Sequence, residues 1–382
     1  MYSLAAYGGM IADRVRMQAY AEALDRTVKP GAVVVDIGTG PGIWAVLACQ
    51  LGASRVIAIE PDSIIQVARE VAASNHCSEK IEFVEKMSTS FELAIQADVI
   101  VSDLRGVLPL AGQNTRSVVD ARRRFLAPRG VLIPRRDKVW AVVVEAPKSY
   151  QQCVEPWEQN VLKQDLSPAR RRVVSLPQAV RVTPDQLLAK PELWTTVDYA
   201  TIEDFDVQGE LEWAVERSGT GYGILAWFDT DLTDEVGFSN APGAPETIYG
   251  SLFFPWQEPV SLAAGQNVCV RLEAKLLEDD YVWRWTTNIE PSKGAGRRRI
   301  HFEQSSLQGA VISLQALQKQ ASDHIPHLSD EGRIHRRILE MIDGQASLED
   351  IARRLAAEFP ARFTRWQQAL SYAGTVSQKL GE

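Results

Sequence analysis

A glycine-rich turn between an apolar strand and a helix constrains this chain more than any other stretch. Residues 33–38 (VVVDIG) have the continuous apolar character of a strand buried on both faces of a sheet. The run DIGTGPG occupies residues 36–42, and the helix-forming stretch IWAVLACQLG follows it and ends on Gly52. Further strand-like and helical stretches alternate after it. The alternation predicts a doubly wound α/β domain with a parallel sheet over residues 1–145.

Two further zones follow along the chain. Between residues 146 and 310 helical periodicity fades, and strand-like runs such as GYGILAWFD and DYVWRWTTNI are separated by turn residues. These runs predict an antiparallel β-barrel or sandwich. Residues 327–382 are helical again, and SLEDIARRLAAEF opens with a capping box of Ser347 and Asp350. A chain of 382 residues has room for these three parts.

Charge and cysteine usage exclude several classes of function. The formal net charge of −8 gives a nucleic-acid partner no bulk electrostatic support. The four cysteines form no C-x-x-C motif and no Cys/His cluster, so we expect reduced thiols, no disulfide framework and no metal site. No apolar run approaches the length of a membrane span, and the N-terminus lacks the apolar core of a signal peptide. We therefore expect a cytoplasmic protein without a membrane partner.

The glycine turn indicates which ligand the sheet binds. Its spacing is G-x-G-x-G, and Pro41 removes a backbone donor that a diphosphate needs at a helix N-terminus. Asp36 repels a diphosphate but attracts an ammonium group, and Glu60, which ends the second strand, can accept two hydrogen bonds from a ribose diol. A ligand with a ribose, an ammonium end and no phosphate is S-adenosylmethionine. The alternative is a tight turn without a ligand.

Several stretches together resemble the protein arginine methyltransferases, a family of class I S-adenosylmethionine-dependent methyltransferases. MIADRVRMQAY is similar to that family's cofactor-covering helix, and DIGTGPG and AIEP are similar to its cofactor motifs. WEQNVLKQDLSP resembles its dimerisation arm, and FSNAPGAPETIYG resembles its loop with a Thr-His-Trp triplet. The resemblance covers residues 1 to about 310. It implies a Rossmann-like domain, a β-barrel substrate domain with an arm at about residues 155–195, and a homodimer.

The same resemblance implies a set of cofactor-binding residues. Arg16 is expected to pair with the methionine carboxylate of S-adenosylmethionine, and Ser88 or Thr89 to bond the adenine amine. The full set is Met10, Arg16, Asp36, Gly38, Thr39, Gly40, Gly42, Ile43, Glu60, Pro61, Ser88, Thr89 and Asp103.

The acceptor side departs from that family. Arginine methyltransferases hold the substrate guanidinium between two glutamates, whose places are taken here by Asp103 and Gly112. Arg105 repels a guanidinium, and Thr247-Ile248-Tyr249 replaces the triplet, so the loop His is missing. We therefore predict Asp103, Arg105 and Tyr249 as catalytic residues, with Asp103 orienting the acceptor or taking its proton. Alternatively, Asp103 and Arg105 form an internal ion pair that shapes the loop.

These residues predict methyl transfer to a nitrogen or oxygen of a peptide, protein or small-molecule acceptor. Ordinary arginine methylation is one alternative, and a cofactor-binding pseudoenzyme that serves as a scaffold is another. Tyr2, Tyr7 and Tyr249 are candidates to line the acceptor pocket, with packing of the N-terminal helix and the barrel as the alternative.

The C-terminal zone resembles a different group of proteins. Ile342-Asp343-Gly344 and the helix capped by Ser347 are similar to the winged-helix-like peptide chaperones of peptide-modifying pathways. The resemblance implies capture of a peptide, by strand addition for example. The alternatives are a helical appendage that packs on the barrel or dimer, and a DNA-binding winged helix.

Overall fold

A computed structural model describes residues 2–291 and 299–380 of the chain. The chain divides into two compact units, with the boundary between Ala310 and Val311. The first unit contains the sheets and the second unit is helical. The predicted start of the C-terminal domain at residue 327 therefore lies inside the second unit.

A five-stranded parallel sheet forms the N-terminal half of the first unit. Its strand order is β3-β2-β1-β4-β5, so the chain reverses direction across the sheet between β1 and β4. Val, Ile and Ala fill the strand interiors because helices cover both faces. The strands are β1 (Val33–Ile37), β2 (Arg55–Ile59), β3 (Ile81–Val84), β4 (Ala97–Ser102) and β5 (Leu126–Ile133).

Five helices precede the strands or connect them, as the alternating pattern predicts. Ser3 and Asp13 cap the first two helices through their side-chain oxygens, which accept bonds from the backbone N–H of Ala6 and Arg16. The Rossmann-like prediction for this region is confirmed. The helices are α1 (Leu4–Ala12), α2 (Arg14–Thr27), α3 (Ile43–Gln50), α4 (Ile65–Ser74) and α5 (Asn114–Phe125).

Two antiparallel sheets follow, of six and four strands. The six-stranded sheet has the order β7-β12-β10-β6-β8 with β11 beside β10, and the four-stranded sheet has the order β15-β14-β13-β9. Their strands are β6 (Arg136–Val144), β7 (Gln178–Val180), β8 (Glu192–Asp198), β9 (Val207–Ala214), β10 (Gly219–Asp231), β11 (Gly237–Ser239), β12 (Ser251–Leu262), β13 (Asn267–Leu277), β14 (Asp280–Ile289) and β15 (Ile300–Ser305).

The second sheet region begins earlier than the sequence suggests. Strand β6 pairs with β10 and β8, so it belongs to the antiparallel part although it precedes residue 145. Its apolar run resembles a strand of the parallel sheet, and strand partners cannot be read from composition. One hydrophobic cluster continues from Val35 and Ile57 of the parallel sheet to Val142 and Phe254 of the antiparallel part. The two parts therefore share a core.

The predicted arm at residues 155–195 contains the end of one helix, a second helix and β7. Between the two helices, Val161 and Leu162 are 98% and 75% exposed, which is high for apolar side chains in a folded segment. The helices of this region are α6 (Pro147–Glu158), α7 (Ser167–Val173) and the short α8 (Ser306–Gly309).

The second unit has a small core of its own, formed by Ile338, Leu355 and Ala373 among other residues. Ser347 and Asp350 form the predicted capping box. Within its described residues, 311–380, the structure has helices and no strand, so the wing of a winged helix is not confirmed there. The helices are α9 (Leu314–Gln320), α10 (Asp330–Met341), α11 (Leu348–Glu358) and α12 (Trp366–Leu380).

Within the described part of the chain, no helix combines the length and the apolar character needed to cross a bilayer.

Candidate active site

A cavity of about 620 Å³ lies where β1, β2 and β4 end. In doubly wound sheets the ligand crevice occurs at this edge, where the strand order reverses. Six stretches of the first unit line the cavity, within residues 2–17, 37–44, 59–62, 87–88, 103–117 and 248–249. The cavity thus joins the N-terminal helices, the glycine turn and a loop of the antiparallel part.

The glycines of the turn are required by backbone conformation and by space. Gly38, Gly40 and Gly42 have φ angles of 70°, 52° and 85°, in the left-handed region that disfavours other residues. A Cβ at Gly38 would lie 2.3 Å from Leu104 Cδ2, and one at Gly40 would lie 2.8 Å from Tyr7 Cε1. The side chains of Leu104 and Tyr7 therefore pack closely against the turn, at Gly38 and at Gly40 respectively.

The two acids near the turn have different surroundings. Glu60 lines the cavity, and its carboxylate oxygens accept hydrogen bonds from the backbone N–H of Gly40 and Asp62, both at 3.1 Å. Asp36 is fully buried and does not line the cavity. One oxygen of Asp36 accepts the hydroxyl of Thr39, whereas the other has no partner among the described residues. Burial raises the pKa of Asp36 to about 7 despite the hydrogen bonds that favour its charge.

Asp13 connects the N-terminal helices to the loop at residues 246–249. Its Oδ1 accepts from the backbone N–H of Arg16 at 3.1 Å, as the N-cap of α2. Its Oδ2 accepts from the backbone N–H of Ile248 at 2.8 Å. Both carboxylate oxygens are therefore used to hold these two segments together.

Arg16 reaches from α2 to the acid at the end of β4. Its Nε donates to Asp103 Oδ2, and its Nη1 donates to the Met10 carbonyl at 3.1 Å. Among the described residues, Nη2 of Arg16 has no hydrogen-bond partner, and the side chain lines the cavity. One edge of the guanidinium therefore remains available to an anionic ligand.

Asp103 is surrounded by donors. The hydroxyl of Tyr249 lies 2.8 Å from both of its carboxylate oxygens, and Arg16 and Arg105 also donate to it. Burial raises the pKa of this carboxyl, but the neighbouring Arg105 and Arg16 outweigh burial and lower the pKa below its usual range. Asp103 is therefore held as a carboxylate with both oxygens bonded.

Arg105 uses every donor of its guanidinium within the protein. Its Nη1 donates to Asp137 Oδ1 at 2.8 Å and to Thr230 Oγ1 at 2.7 Å. Its Nη2 donates to the Tyr20 hydroxyl at 2.6 Å and to Asp103 Oδ1 at 3.2 Å, and Nε donates to the same oxygen at 3.3 Å. These contacts account for all five N–H groups of an arginine.

Aromatic rings enclose the same guanidinium. Its central carbon lies 5.1 to 5.8 Å from the ring centroids of Phe228, Phe238, Tyr20 and Tyr249, within the range of cation–π attraction. The side chain of Arg105 is 1% exposed. Arg105 therefore joins the loop after β4 to the antiparallel sheet and is not available to a soluble partner.

The remainder of the loop after β4 is held by the turn between β13 and β14. The backbone N–H of Gly112 donates to Asp280 Oδ1 at 2.9 Å. The side-chain amide of Gln113 donates to the Glu278 carbonyl at 2.9 Å and to Asp279 Oδ1 at 2.7 Å. The cavity wall at residues 111–114 is therefore fixed from outside and carries no carboxylate of its own.

The structure brings most of the predicted site residues to one cavity. Tyr2 and Tyr7 line it as well. Three predicted residues do not line the cavity. Asp36 faces the protein interior, and Gly42, at the start of α3, packs against Ala68 of α4. Thr89 is exposed in a short 3₁₀ turn. The predicted residues that line the cavity are Met10, Arg16, Gly38, Thr39, Gly40, Ile43, Glu60, Pro61, Ser88, Asp103, Arg105 and Tyr249.

Three partners of Arg105 were not predicted. Asp137 and Thr230 lie on β6 and β10, which are remote in sequence, and no local motif marks them. Tyr20 lies one helical turn after Arg16 on α2, a spacing that places both residues on the same face. That spacing is the signal that identifies Tyr20.

Two family models match the chain. Residues 18–134 match that of ribosomal protein L11 methyltransferase, and residues 135–288 match the arginine methyltransferase oligomerization subdomain. The boundary between them coincides with the start of β6.

Comparison with solved structures gives the fold. The Trypanosoma brucei protein arginine methyltransferase 1 enzyme–prozyme complex has a TM-score of 0.70 at 19% identity, covering 78% of this chain and 97% of that chain. Arabidopsis thaliana protein arginine methyltransferase 10 has a TM-score of 0.70 at 21% identity, covering 80% and 98%. The fold is that of the protein arginine methyltransferases.

Curated relatives agree with the fold. The probable protein arginine N-methyltransferase 6 of Arabidopsis thaliana is 29% identical over 63% of this chain and 57% of its own length. Protein arginine N-methyltransferase 8-B of Danio rerio is 26% identical over 68% and 64%. The chain thus spans less than two thirds of the length of these relatives. The predicted arginine-methyltransferase-like architecture is confirmed.

The residues of the cavity fit S-adenosylmethionine. The glycine turn leaves no room for side chains, which suits a ligand that lies close to the backbone. Glu60 retains lone pairs for a ribose diol, and Nη2 of Arg16 is available to a carboxylate. Of the two predicted hydroxyl residues, Ser88 lines the cavity and Thr89 does not.

Proposed function

We propose that the chain is an S-adenosylmethionine-dependent methyltransferase whose acceptor is not a guanidinium group. The observation that supports this is the environment of Asp103. Its carboxylate is already bonded by Arg16, Arg105 and Tyr249, in the place where an arginine enzyme needs a free acid. The acceptor is then another nitrogen or an oxygen of a peptide, protein or small molecule.

S-adenosylmethionine supplies the methyl group of its sulfonium, and the protein aligns the reactants. Glu60 would bind the ribose, and Arg16 would pair with the carboxylate of the amino-acid end. Tyr7, in contact with Gly40, would cover the ligand and reduce its contact with water. Alignment of this kind contributes much of the rate of a bimolecular transfer.

Asp103, Arg105 and Tyr249 have positioning roles in this proposal. Arg105 fixes Asp103, and Asp103 in turn fixes Arg16 and Tyr249. Because the pKa of Asp103 is low, its carboxylate is a weak base at neutral pH. Orientation of the cofactor-binding Arg16 and of Tyr249 is the role that fits this geometry.

Arginine methylation is the second candidate, because the curated relatives are named as arginine methyltransferases. Bidentate binding of a guanidinium needs carboxylate oxygens with free lone pairs. Asp103 already accepts from two internal guanidinium groups, and Gly112 replaces the second acid. A pseudoenzyme is the third candidate, and it binds the cofactor without turnover.

One experiment separates these candidates. Purified chain is titrated with S-adenosylhomocysteine by calorimetry and then incubated with methyl-labelled cofactor, an arginine-rich peptide and a fractionated host extract. We expect binding, labelled product from the extract and none from the arginine-rich peptide. Label on arginine side chains supports the second candidate, and binding without any labelled product supports the pseudoenzyme. In the binding measurement, Arg14→Ala is the control variant for Arg16→Ala, since Arg14 is exposed on the same helix as Arg16.

We also propose that the chain acts as a homodimer through the arm at residues 155–195. The match to an oligomerization subdomain and the exposed Val161 and Leu162 support this. The arm also supports the acceptor loop, because Arg181 Nη2 donates to the Thr247 carbonyl at 2.9 Å. Val161→Glu with Leu162→Glu should give a monomer in sedimentation velocity, whereas Gln159→Glu should not. A wild-type monomer at micromolar concentration contradicts the proposal.

A further inference from the structure

We propose that the methyl acceptor is an electrically neutral, imidazole-type ring nitrogen that reacts without an enzyme base. This inference rests on the proposed methyltransferase function and narrows its acceptor class. It is derived from the charges of the cavity, the character of the wall beside Asp103 and the proton-accepting groups that line it.

The charged side chains near Asp103 satisfy one another. Arg16 and Arg105 both donate to Asp103, and Arg105 also donates to Asp137, so two cations face two anions. The other acids that line the cavity are Glu60, which accepts two backbone N–H groups, and the adjacent Asp62. Glu60 lies against the glycine turn, where the ribose of the cofactor is expected, and the backbone of Asp62 is bonded to Glu60.

The wall beside this cluster carries no charge of its own. It comprises Leu104, Val107, Ala111, Gly112 and Ile248, which we call the acceptor wall. A cationic acceptor placed here loses its hydration and gains no carboxylate with free lone pairs. An anionic acceptor finds no guanidinium donor, since those of Arg105 are all used within the protein and Nη2 of Arg16 is assigned to the carboxylate of the cofactor. With cationic and anionic acceptors excluded, a neutral acceptor is the one that binds at this wall without leaving a buried charge unpaired.

Beside Asp103, the described structure has no group in the cavity that takes a proton near neutral pH. Burial raises the pKa of Glu60, but this residue lies against the glycine turn. No His, Lys or Cys is among the residues that line it in the described structure. Burial and the adjacent carboxylate raise the pKa of the Tyr249 phenol, and burial raises that of Tyr7 to about 12. Asp103 has the opposite shift and is bonded on both oxygens. The acceptor must therefore have an atom whose lone pair can attack without prior loss of a proton.

Among biological nitrogen and oxygen nucleophiles, few meet this condition at pH 7. Lysine and arginine side chains are protonated, with reference pKa values of about 10.4 and above 12, and alcohols keep their proton. Imidazole has a reference pKa of about 6.5, so most of it is neutral at pH 7 and has one unprotonated nitrogen. A flat, uncharged ring also suits a wall of aliphatic side chains.

Asn114 offers a partner for the second ring nitrogen. Its Nδ2 donates to the Pro109 carbonyl at 2.8 Å, a contact that fixes which end of the amide is the donor. Its Nδ2 also contacts the Tyr199 hydroxyl at 3.2 Å, and no described residue bonds its Oδ1. Asn114 lines the cavity, so Oδ1 can accept the N–H of a neutral imidazole. The opposite nitrogen then carries the lone pair.

The transfer balances without a base. The lone pair of the ring nitrogen forms the new bond to the methyl carbon while the sulfur–methyl bond breaks and its electrons go to sulfur. The positive charge of the sulfonium passes to the ring, and the N–H proton leaves later to water. No proton has to be removed before the attack.

Equilibrium binding tests the inference without turnover. The chain is saturated with S-adenosylhomocysteine and titrated with N-acetylhistidine methylamide, methylguanidine or methylamine, using calorimetry. We expect the imidazole probe to bind more tightly than either cation. Its affinity should rise about tenfold from pH 5.5 to 7.5, as the neutral fraction of a group with a pKa near 6.5 rises. Equal affinities, or an affinity that falls with rising pH, overturn the inference.

A matched pair of variants tests the role of the acceptor wall. Ile248 is 43% exposed, so substitutions there are compatible with the fold. Ile248→Glu adds a carboxylate and should shift the preference from the imidazole probe towards methylguanidine, whereas the uncharged Ile248→Gln should not. If Ile248→Gln gives the same shift, charge is not the determinant and the inference fails.

Transfer assays distinguish failure of the inference from failure of the proposed function. Labelled methyl on the ring nitrogen of a histidine-containing peptide or heteroaromatic small molecule supports the inference. Label on a guanidine, an aliphatic amine or a hydroxyl overturns it and leaves the methyltransferase function standing. If S-adenosylhomocysteine does not bind at all, the proposed function fails first.

Discussion

The two sides of the cavity are built in different ways. The cofactor side consists of a glycine turn and Glu60, residues that lie within one strand–turn–helix–strand segment. The acceptor side is assembled around Arg105 from α2, the loop after β4, β6, β10 and the loop at 246–249. The cofactor side retains hydrogen-bonding groups that are free for a ligand, whereas Asp103 and Arg105 are bonded to the protein. Under the proposed function, the cofactor side is free to bind its ligand, whereas the acceptor side has no acid free to bind a guanidinium.

The largest test of this comparison is Arg105→Ala. The substitution leaves the buried Asp137 without its cation and Tyr20 and Thr230 without their donor. Breaking such a buried pair should lower the free energy of unfolding by about 3–5 kcal/mol, measured by chemical denaturation. Arg105→Lys should not restore it, because an ammonium has three donors and no planar fork.

Arg284→Ala is the control, since Arg284 is half exposed and paired with the surface residue Glu303. It should change the unfolding free energy little. An equally small effect of Arg105→Ala would mean that the acceptor side is as open as the cofactor side.

The second test concerns the buried acid beneath the glycine turn. The pKa of Asp36 is raised in the folded state, so the unfolded chain releases its proton at lower pH than the folded chain. The stability that protonated Asp36 supports is therefore present below about pH 4 and is lost as the pH rises to about 7. The loss can reach about 4 kcal/mol, from 1.4 kcal/mol per pKa unit.

Asp36→Asn should remove this decline from the stability profile between pH 4 and 7, whereas the exposed Asp25→Asn should keep it. Denaturation at several pH values provides the measurement. A decline that persists in Asp36→Asn assigns it to another group.

The third test is the cofactor contact of Arg16. Arg16→Ala removes the available Nη2 and should weaken S-adenosylhomocysteine binding about ten- to hundredfold, measured by calorimetry. Arg14→Ala, on the exposed face of the same helix, should bind normally. Wild-type affinity in Arg16→Ala contradicts the assignment.

The smallest expected effect belongs to Tyr249→Phe. It removes the hydroxyl that bonds both oxygens of Asp103 and should lower kcat about three- to tenfold, as expected for one hydrogen bond to a charged group. Cofactor affinity should be unchanged. Tyr150→Phe is the control, because the hydroxyl of Tyr150 bonds the Gln257 carbonyl in the antiparallel part. A change in cofactor affinity without a change in kcat would mean that Tyr249 acts in cofactor binding and not at the acceptor side.

Most residues predicted for the cofactor side line one cavity, because they were identified by a local pattern. The spacing of Gly38 and Gly40 and the acid that ends β2 are visible without knowledge of tertiary contacts. Asp36 is the exception, because the direction in which a strand side chain points decides whether it contacts a ligand, and the local pattern does not give that direction. It is buried beneath the turn and does not reach the cavity.

The acceptor side was predicted only in part, for a physical reason. Asp103, Arg105 and Tyr249 were identified by position, but Arg105 bonds residues 32 and 125 positions away in the chain. Such contacts depend on how β6 and β10 pair, and pairing cannot be read from composition. The same uncertainty set the predicted end of the parallel-sheet domain at residue 145, beyond the start of β6 at Arg136.

The bond between Arg105 and Asp137 also has an evolutionary consequence. A mutation that removes Arg105 leaves the buried carboxylate of Asp137 without its cation, and one that removes Asp137 leaves the buried Arg105 with Asp103 as its remaining ion-pair partner. Each single step is costly, although a paired replacement by apolar residues is not. Removal of the pair without a large loss of stability therefore takes two coordinated mutations.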